Sequence, residues 1–146
     1  MVGAVVRGIW KTMRPHQWVK NLFVLAPAVF AKGLTQPEVL TRALYAFFLF
    51  CFASSAVYFM NDLVDAQADR AHPLKCKRPI ASGVISKELG VGVAASLFGV
   101  AVLGSLPLGM AFAGTLIGYI VLNVAYSFGL KRIAYLDVLC IATGFE

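Results

Sequence analysis

Three aspartates crowd a short stretch of this 146-residue sequence: Asp62, Asp65 and Asp69, spaced i, i+3, i+7, with Asn61 directly before the first. On a helix those positions share one face, where like charges repel. They follow the uncharged run Ala43 to Asn61. They therefore fall near the C-terminal end of that helix, where the macrodipole disfavours anions. Ionisable groups placed beside a bilayer are functional by default. A divalent cation removes the repulsion, and Mg²⁺ typically takes one or two carboxylates together with phosphate oxygens. Asn61, Asp62, Asp65 and Asp69 are thus the candidate metal-binding set, and the three aspartates are the candidate catalytic residues. The other acids, Glu38, Glu88, Asp137 and Glu146, are scattered. The competing reading is a solvated acidic helix end balanced by the basic loop that follows.

That loop runs from Arg70 to Gly83 and carries Lys75, Lys77 and Arg78 between two helix-stopping prolines, Pro73 and Pro79. Cations so close to the acids suit phosphate oxygens, and a guanidinium such as that of Arg78 binds them bidentately. Acids for a metal beside bases for an anion is the layout of a site with a phosphate leaving group. His72, just before Pro73, reads as a loop hydrogen-bonding residue rather than a ligand. Cys51 and Cys140 lie in apolar runs as packing residues, Cys76 sits between two lysines, and no disulfide framework is implied.

The elements that position these residues are written in the hydropathy. The chain is 60% hydrophobic and 14% charged, against roughly 25% charged for soluble domains. A soluble fold of this size could not hide so much apolar surface. No charge occurs in the 42 residues from Leu89 to Leu130, a run that would be roughly 63 Å long as one helix, twice the hydrocarbon thickness. It must fold back, and Gly104-Ser105-Leu106-Pro107-Leu108-Gly109 is where it breaks. The fold class is all-α, a multi-pass transmembrane bundle. Spans are expected near 17–34, 40–62, 88–106 and 108–129, with a fifth beginning at 133, all in one domain over 1–146 that stops short at its C-terminus. The first span is the weakest, since only Asn21 to Ala31 is uncharged and Pro27 interrupts it. It crosses if Lys20 and Lys32 snorkel to the two interfaces. Val29-Phe30-Ala31 resembles a signal-peptide cleavage site, but the long basic region before it and the spans after it argue against that reading.

The net charge of +6 alternates along the chain. Arg7, Lys11, Arg14 and Lys20, then the 70–78 loop, then Lys131 and Arg132 fall on one side of a four-span topology, and charge-poor loops fall on the other. The positive-inside rule puts the N-terminus and the aspartates on the cytoplasmic side of the plasma membrane. The charge is read as topology, with no nucleic-acid partner. Gly114 and Gly118 form a small-xxx-small pair suited to close helix packing.

Asn61-Asp62-Leu63-Val64-Asp65-Ala66-Gln67-Ala68-Asp69 resembles the first aspartate motif of the UbiA-type membrane prenyltransferase superfamily, Asn-Asp-x-x-Asp-x-x-x-Asp. Within it, three stretches are most similar to polyprenyl-phosphate phosphoribosyltransferases: Arg14-Pro15-His16-Gln17-Trp18-Val19-Lys20-Asn21, His72-Pro73-Leu74-Lys75 leading to Arg78-Pro79-Ile80, and Tyr126 to Ile133 leading to Leu136-Asp137-Val138. The resemblance implies the first half of a nine-helix fold. It also implies a reaction in which a polyprenyl (decaprenyl) phosphate attacks C1 of phosphoribosyl pyrophosphate and releases diphosphate, with Mg²⁺ as cofactor, for cell-wall arabinan precursors. On that resemblance Lys20, Asn21, Asn61, Lys75, Arg78, Tyr126 and Lys131 are substrate-binding. The bilayer is a partner, and a homo-oligomer is compatible with the sequence. The superfamily's second aspartate motif is not in this sequence, and Cys76 stands where a basic residue is usual. Other readings stay open: transfer of a polyprenyl group from its diphosphate to an aromatic acceptor, a cation-binding membrane transport protein, or an inactive fragment. A CDP-alcohol phosphotransferase fits less well, because Ala66-Gln67-Ala68 after Asp65 departs from its motif.

Overall fold

The computed structural model describes residues 2–128, which contain helices and no strand. The fifth span expected from 133, Lys131 and Cys140 lie outside the described residues. Helix α1 covers Val2–Met13, a 3-10 run covers Pro15–Leu25, and a short α2 covers Ala26–Phe30. The long α3, Pro37–Val64, is followed almost directly by α4, Ala66–Arg70. Then come α5, Lys87–Ser105, and α6, Met110–Phe128.

Helix α3 is the centre of the bundle. Pro37 at its first position is preset for a helical start. Its 28 residues extend roughly 42 Å, beyond a hydrocarbon layer of about 30 Å. Helices α5 and α6 pack on it. Ser86 caps α5 by accepting a hydrogen bond from the Leu89 amide at 3.2 Å. The break between α5 and α6 falls where the sequence places it: Leu106–Leu108 tightens to 3-10, and Gly109 takes a φ of 104° that a side chain would oppose. Gly104 permits the closest α3–α5 approach, since a Cβ there would lie 2.8 Å from Leu49 Cδ2. Tyr45 donates its hydroxyl to the Gly104 carbonyl at 2.8 Å across the same contact. Gly114 and Gly118, by contrast, meet no neighbour among the described residues, so the packing expected of that pair is not made there.

Two apolar clusters hold the bundle. One joins Phe50, Ala53, Ala101 and Leu116, with Phe50 edge-on to Phe23 and Phe112. The other, beneath the aspartates, joins Phe59, Ala66, Ile80, Ile85 and Ala94, with Ile9 and Met13 of α1 packed against it.

Among the described residues three helices are long and apolar enough to cross a membrane: Pro37–Val64, Lys87–Leu108 and Met110–Phe128. These match three of the expected spans. The span expected at 17–34 takes another form and is corrected here: it is a 3-10 run followed by α2, not one α-helix. Pro15, Pro27 and Gly33 interrupt any continuous helix. Side chains then tie the run to α3: Trp18 Nε1 donates to Ser55 Oγ at 3.0 Å, and Asn21 Nδ2 donates to Ser54 Oγ at 3.1 Å. Because 3-10 geometry rises further per residue, Pro15–Phe30 still extends roughly 30 Å. Helix α1 was not expected from the sequence.

Candidate functional site

The site is built at the end of α3. Asp62, in the last turn of α3, is 2% exposed, and Asp69 in α4 is 3% exposed. Buried carboxylates require partners, and both have arginines. Arg78 Nη1 donates to Asp69 Oδ2 at 2.8 Å and to Asp62 Oδ1 at 3.2 Å. Arg14 Nη2 donates to the same Asp62 oxygen at 2.8 Å. Two carboxylates and two guanidiniums thus form one chain, Arg14–Asp62–Arg78–Asp69.

Local structure fixes each member. Arg78 opens the Arg-Pro-Ile-Ala-Ser-Gly turn, whose Ile80 and Ala81 are buried. The turn closes through Ser82 N to Arg78 O at 2.8 Å and Ile85 N to Pro79 O at 3.0 Å, and Gly83 takes φ 81°. Arg70 Nε donates to the Ala81 carbonyl at 3.1 Å, which ties α4 to the same turn. Arg14 stands between α1 and the 3-10 run with φ 52° and ψ 58°. A left-handed non-glycine residue costs about 1–3 kcal/mol and persists where its surroundings over-determine it. Here the guanidinium lies 4.7 Å from the centre of the Tyr58 ring while it bonds Asp62.

Asp62 and Asp69 therefore come together, as their spacing requires. Asp65 differs. It is the half-buried residue at the junction of α3 and α4, with φ −87° and ψ 0°. Helical hydrogen bonding continues across this junction, from Asp65 N to Asn61 O at 2.9 Å and from Asp69 N to Asp65 O at 2.8 Å. Among the described residues no group of three or more His, Cys, Asp or Glu is placed to hold a metal. Of the expected four-residue metal set, Asp62 and Asp69 are buried together on Arg78, and Asn61 and Asp65 stand half-buried beside them. That pair fits Mg²⁺: the donors are all oxygen, one cationic nitrogen already lies between them, and Mg²⁺ needs only one or two carboxylates when phosphate supplies other ligands.

The other expected substrate residues are placed variously. Lys20 and Lys75 are exposed, and Tyr126 is half-buried in the last turn of α6. Asn21 is 5% exposed, with its amide on Ser54 Oγ and 3.5 Å from Cys51 Sγ, so it fastens the 3-10 run to α3 and does not join the aspartate–arginine chain. His72 Nδ1 accepts from the amides of Leu74 and Lys75 at 3.1 and 3.3 Å, the loop role read from the sequence. Arg14 is the site residue that sequence reasoning did not single out. It lies 48 residues from Asp62, and no spacing rule links the two.

The model of the UbiA prenyltransferase family matches residues 21–146. The chain is 39% identical over 145 residues to the decaprenyl-phosphate phosphoribosyltransferase of Mycolicibacterium smegmatis, covering 97% of this chain and 46% of that protein. It is equally similar to the enzyme of that name from Mycobacterium tuberculosis, over 97% of this chain and 48% of the relative. A similarity of 39% over 148 residues, 94% of this chain and 43% of the relative, links it to the enzyme of that name from Corynebacterium glutamicum. The chain spans about half the length of these curated relatives. It belongs to the UbiA prenyltransferase family, and its fold is a membrane helical bundle.

Proposed function

We propose that this chain supplies the first aspartate half-site of an Mg²⁺-dependent polyprenyl-phosphate phosphoribosyltransferase. In the reaction a polyprenyl phosphate oxygen bonds C1 of phosphoribosyl pyrophosphate while the C1–diphosphate bond breaks. The products are a lipid-linked phosphoribose, a precursor for cell-wall arabinan, and free diphosphate. The observation that carries the reading is the buried pair Asp62 and Asp69 closing on Arg78 at the end of a spanning helix. Similarity to enzymes named for this transfer supports this choice of substrates.

Asp62 and Asp69, with Asp65 and Asn61 at hand, would hold Mg²⁺. When bound, the ion offsets the charge that builds on the departing diphosphate. Arg78 and Arg14, which lie against these carboxylates, would bind diphosphate oxygens. Lys20, Lys75 and Lys131 add positive charge at the phosphates, and Tyr126 shapes the pocket. The apolar walls of the bundle take the polyprenyl chain, and the site opens to the cytoplasm, where phosphoribosyl pyrophosphate is made.

The test is transfer of label from ribose-labelled phosphoribosyl pyrophosphate to decaprenyl phosphate by the complete protein, with Mg²⁺ and with EDTA. Mg²⁺-dependent labelling of the lipid is expected. Prenylation of 4-hydroxybenzoate from polyprenyl diphosphate, without that labelling, would reverse the assignment.

A further inference from the structure

Helix α1 contributes Arg14 at its end, but most of its surface serves neither the site nor the core. Its residues divide sharply. Gly8 and Thr12 are buried, Gly8 so closely that a Cβ there would lie 3.3 Å from Ile85 and Val84. Ile9 and Met13 pack on the cluster beneath the aspartates. Next to that buried arc, Val2, Val6 and Trp10 follow one another at i, i+4, i+8 and are 78%, 60% and 58% exposed. Next again come Arg7 and Lys11, an exposed i, i+4 pair. The order around the helix is core, apolar edge, cations.

We infer that α1 is an interfacial helix of the phospholipid bilayer. Val2, Val6 and Trp10 sit at the acyl boundary, and Arg7 and Lys11 sit on headgroup phosphates. A partner protein covering the apolar edge would also desolvate the two adjoining cations, and the described residues offer them no carboxylate. Water on the same edge would leave three large apolar side chains exposed in one stripe. A headgroup layer satisfies both, because it takes apolar groups on one side and cations on the other within a few ångströms. The position agrees. Helix α1 packs against the last turns of the spanning helix α3, through Ser55 Oγ to Met13 O at 2.9 Å and Arg14 to Asp62. In the topology proposed above, that is the level where α3 leaves the hydrocarbon. Trp10 meets Trp18 edge-on, with centroids 6.1 Å apart, so the stripe joins the 3-10 run without a gap. Tryptophan is enriched at this depth of a membrane. The charge pair favours anionic headgroups.

The experiment reads Trp10 in the complete protein, reconstituted in nanodiscs, as the difference in fluorescence between the unaltered protein and W10F. Nanodiscs of brominated phosphatidylcholine are expected to quench the Trp10 signal by more than half, while aqueous acrylamide quenches it weakly. Brominated phosphatidylglycerol, diluted to equal bromine, should quench more than brominated phosphatidylcholine, and the double variant R7Q/K11Q should abolish that preference. Strong acrylamide quenching with no bromolipid effect means that the stripe faces water and overturns the inference. Protection from both quenchers means that a second copy or another part of the protein covers it, which also overturns the inference. Neither Arg7 nor Lys11 belongs to the proposed transfer machinery, so failure here leaves that proposal standing.

Discussion

Asp62 and Asp69, seven residues apart, share a single donor, Nη1 of Arg78. One cationic nitrogen between two buried carboxylates neutralises a repulsion that would otherwise oppose the α3–α4 junction. Arg78→Ala removes that nitrogen and should lower the thermal midpoint of the complete protein by several degrees in EDTA. Breaking a buried ion pair costs about 3–5 kcal/mol, reduced here because Arg14 remains on Asp62 and the Arg78 side chain is 29% exposed. Added Mg²⁺ should restore more of the midpoint in Arg78→Ala than it adds to the unaltered protein, since the ion takes over the vacated charge. An equal Mg²⁺ shift in both proteins contradicts a metal at this carboxylate pair.

The three aspartates should not respond alike. Asp62→Asn and Asp69→Asn each remove a buried charge partner of an arginine, so both should lower transfer at least about 100-fold, as loss of a transition-state charge stabiliser does. Asp65→Ala, at the helix junction, should abolish Mg²⁺-dependent transfer with a smaller change in thermal midpoint. Full activity in Asp65→Ala removes that residue from the site and leaves the reading resting on the other two.

Arg14 separates backbone from side chain. Glycine relieves the left-handed strain at φ 52° but deletes the guanidinium from Asp62. Arg14→Gly should therefore lose transfer about 10-fold or more with little loss of stability. Arg14→Lys keeps the charge and should recover part of the activity, although a lysine lacks the planar fork that bonds Asp62 beside the Tyr58 ring. If Arg14→Gly retains full activity, Arg14 only anchors α1.

For Asn21 the structure favours stability over binding. Asn21→Ala strips Ser54 of its amide donor in a buried position and should destabilise by about 1–3 kcal/mol. The KM for phosphoribosyl pyrophosphate should move less than about threefold. A large rise in KM at unchanged stability would return Asn21 to the substrate pocket.

Cys76 reports orientation. It lies in the 70–83 loop, half-exposed, whereas Cys51 is buried in α3. In a protein lacking Cys51 and Cys140, a membrane-impermeant maleimide should label Cys76 in inside-out vesicles and not in intact cells. Labelling of intact cells would put the aspartates on the wrong side for a cytosolic sugar phosphate.

The spanning helices were legible because hydropathy alone sets them: α5 begins within two residues of its uncharged stretch, and α5 ends and α6 begins at the Gly104–Gly109 break. Asp62 and Asp69 were legible because helical spacing carries across seven residues even through the kink at Asp65. Three things were hidden. The pairing of Arg14 with Asp62 joins residues far apart in sequence, and only the packing of α1 on α3 brings them together. The 3-10 form of Pro15–Leu25 depends on side-chain bonds from Trp18 and Asn21 to serines on another helix, which no local propensity encodes. Helix α1 is hidden because its basic residues Arg7 and Lys11, with Arg14 and Lys20 after it, are equally explained by topology, and its apolar edge is too short to register as a span.

Helix α3 is longer than the oily layer is thick, and it cannot conceal both of its ends. In the proposed topology the excess, roughly a dozen ångströms, would lift its acidic tip to the height at which a long-tailed amphiphile presents its polar end. Such a molecule need not be pulled out of its solvent to be acted upon. In the proposed transfer it would drift sideways until its head lay beside Asp62, while water-borne reactants would approach the same spot from the opposite direction.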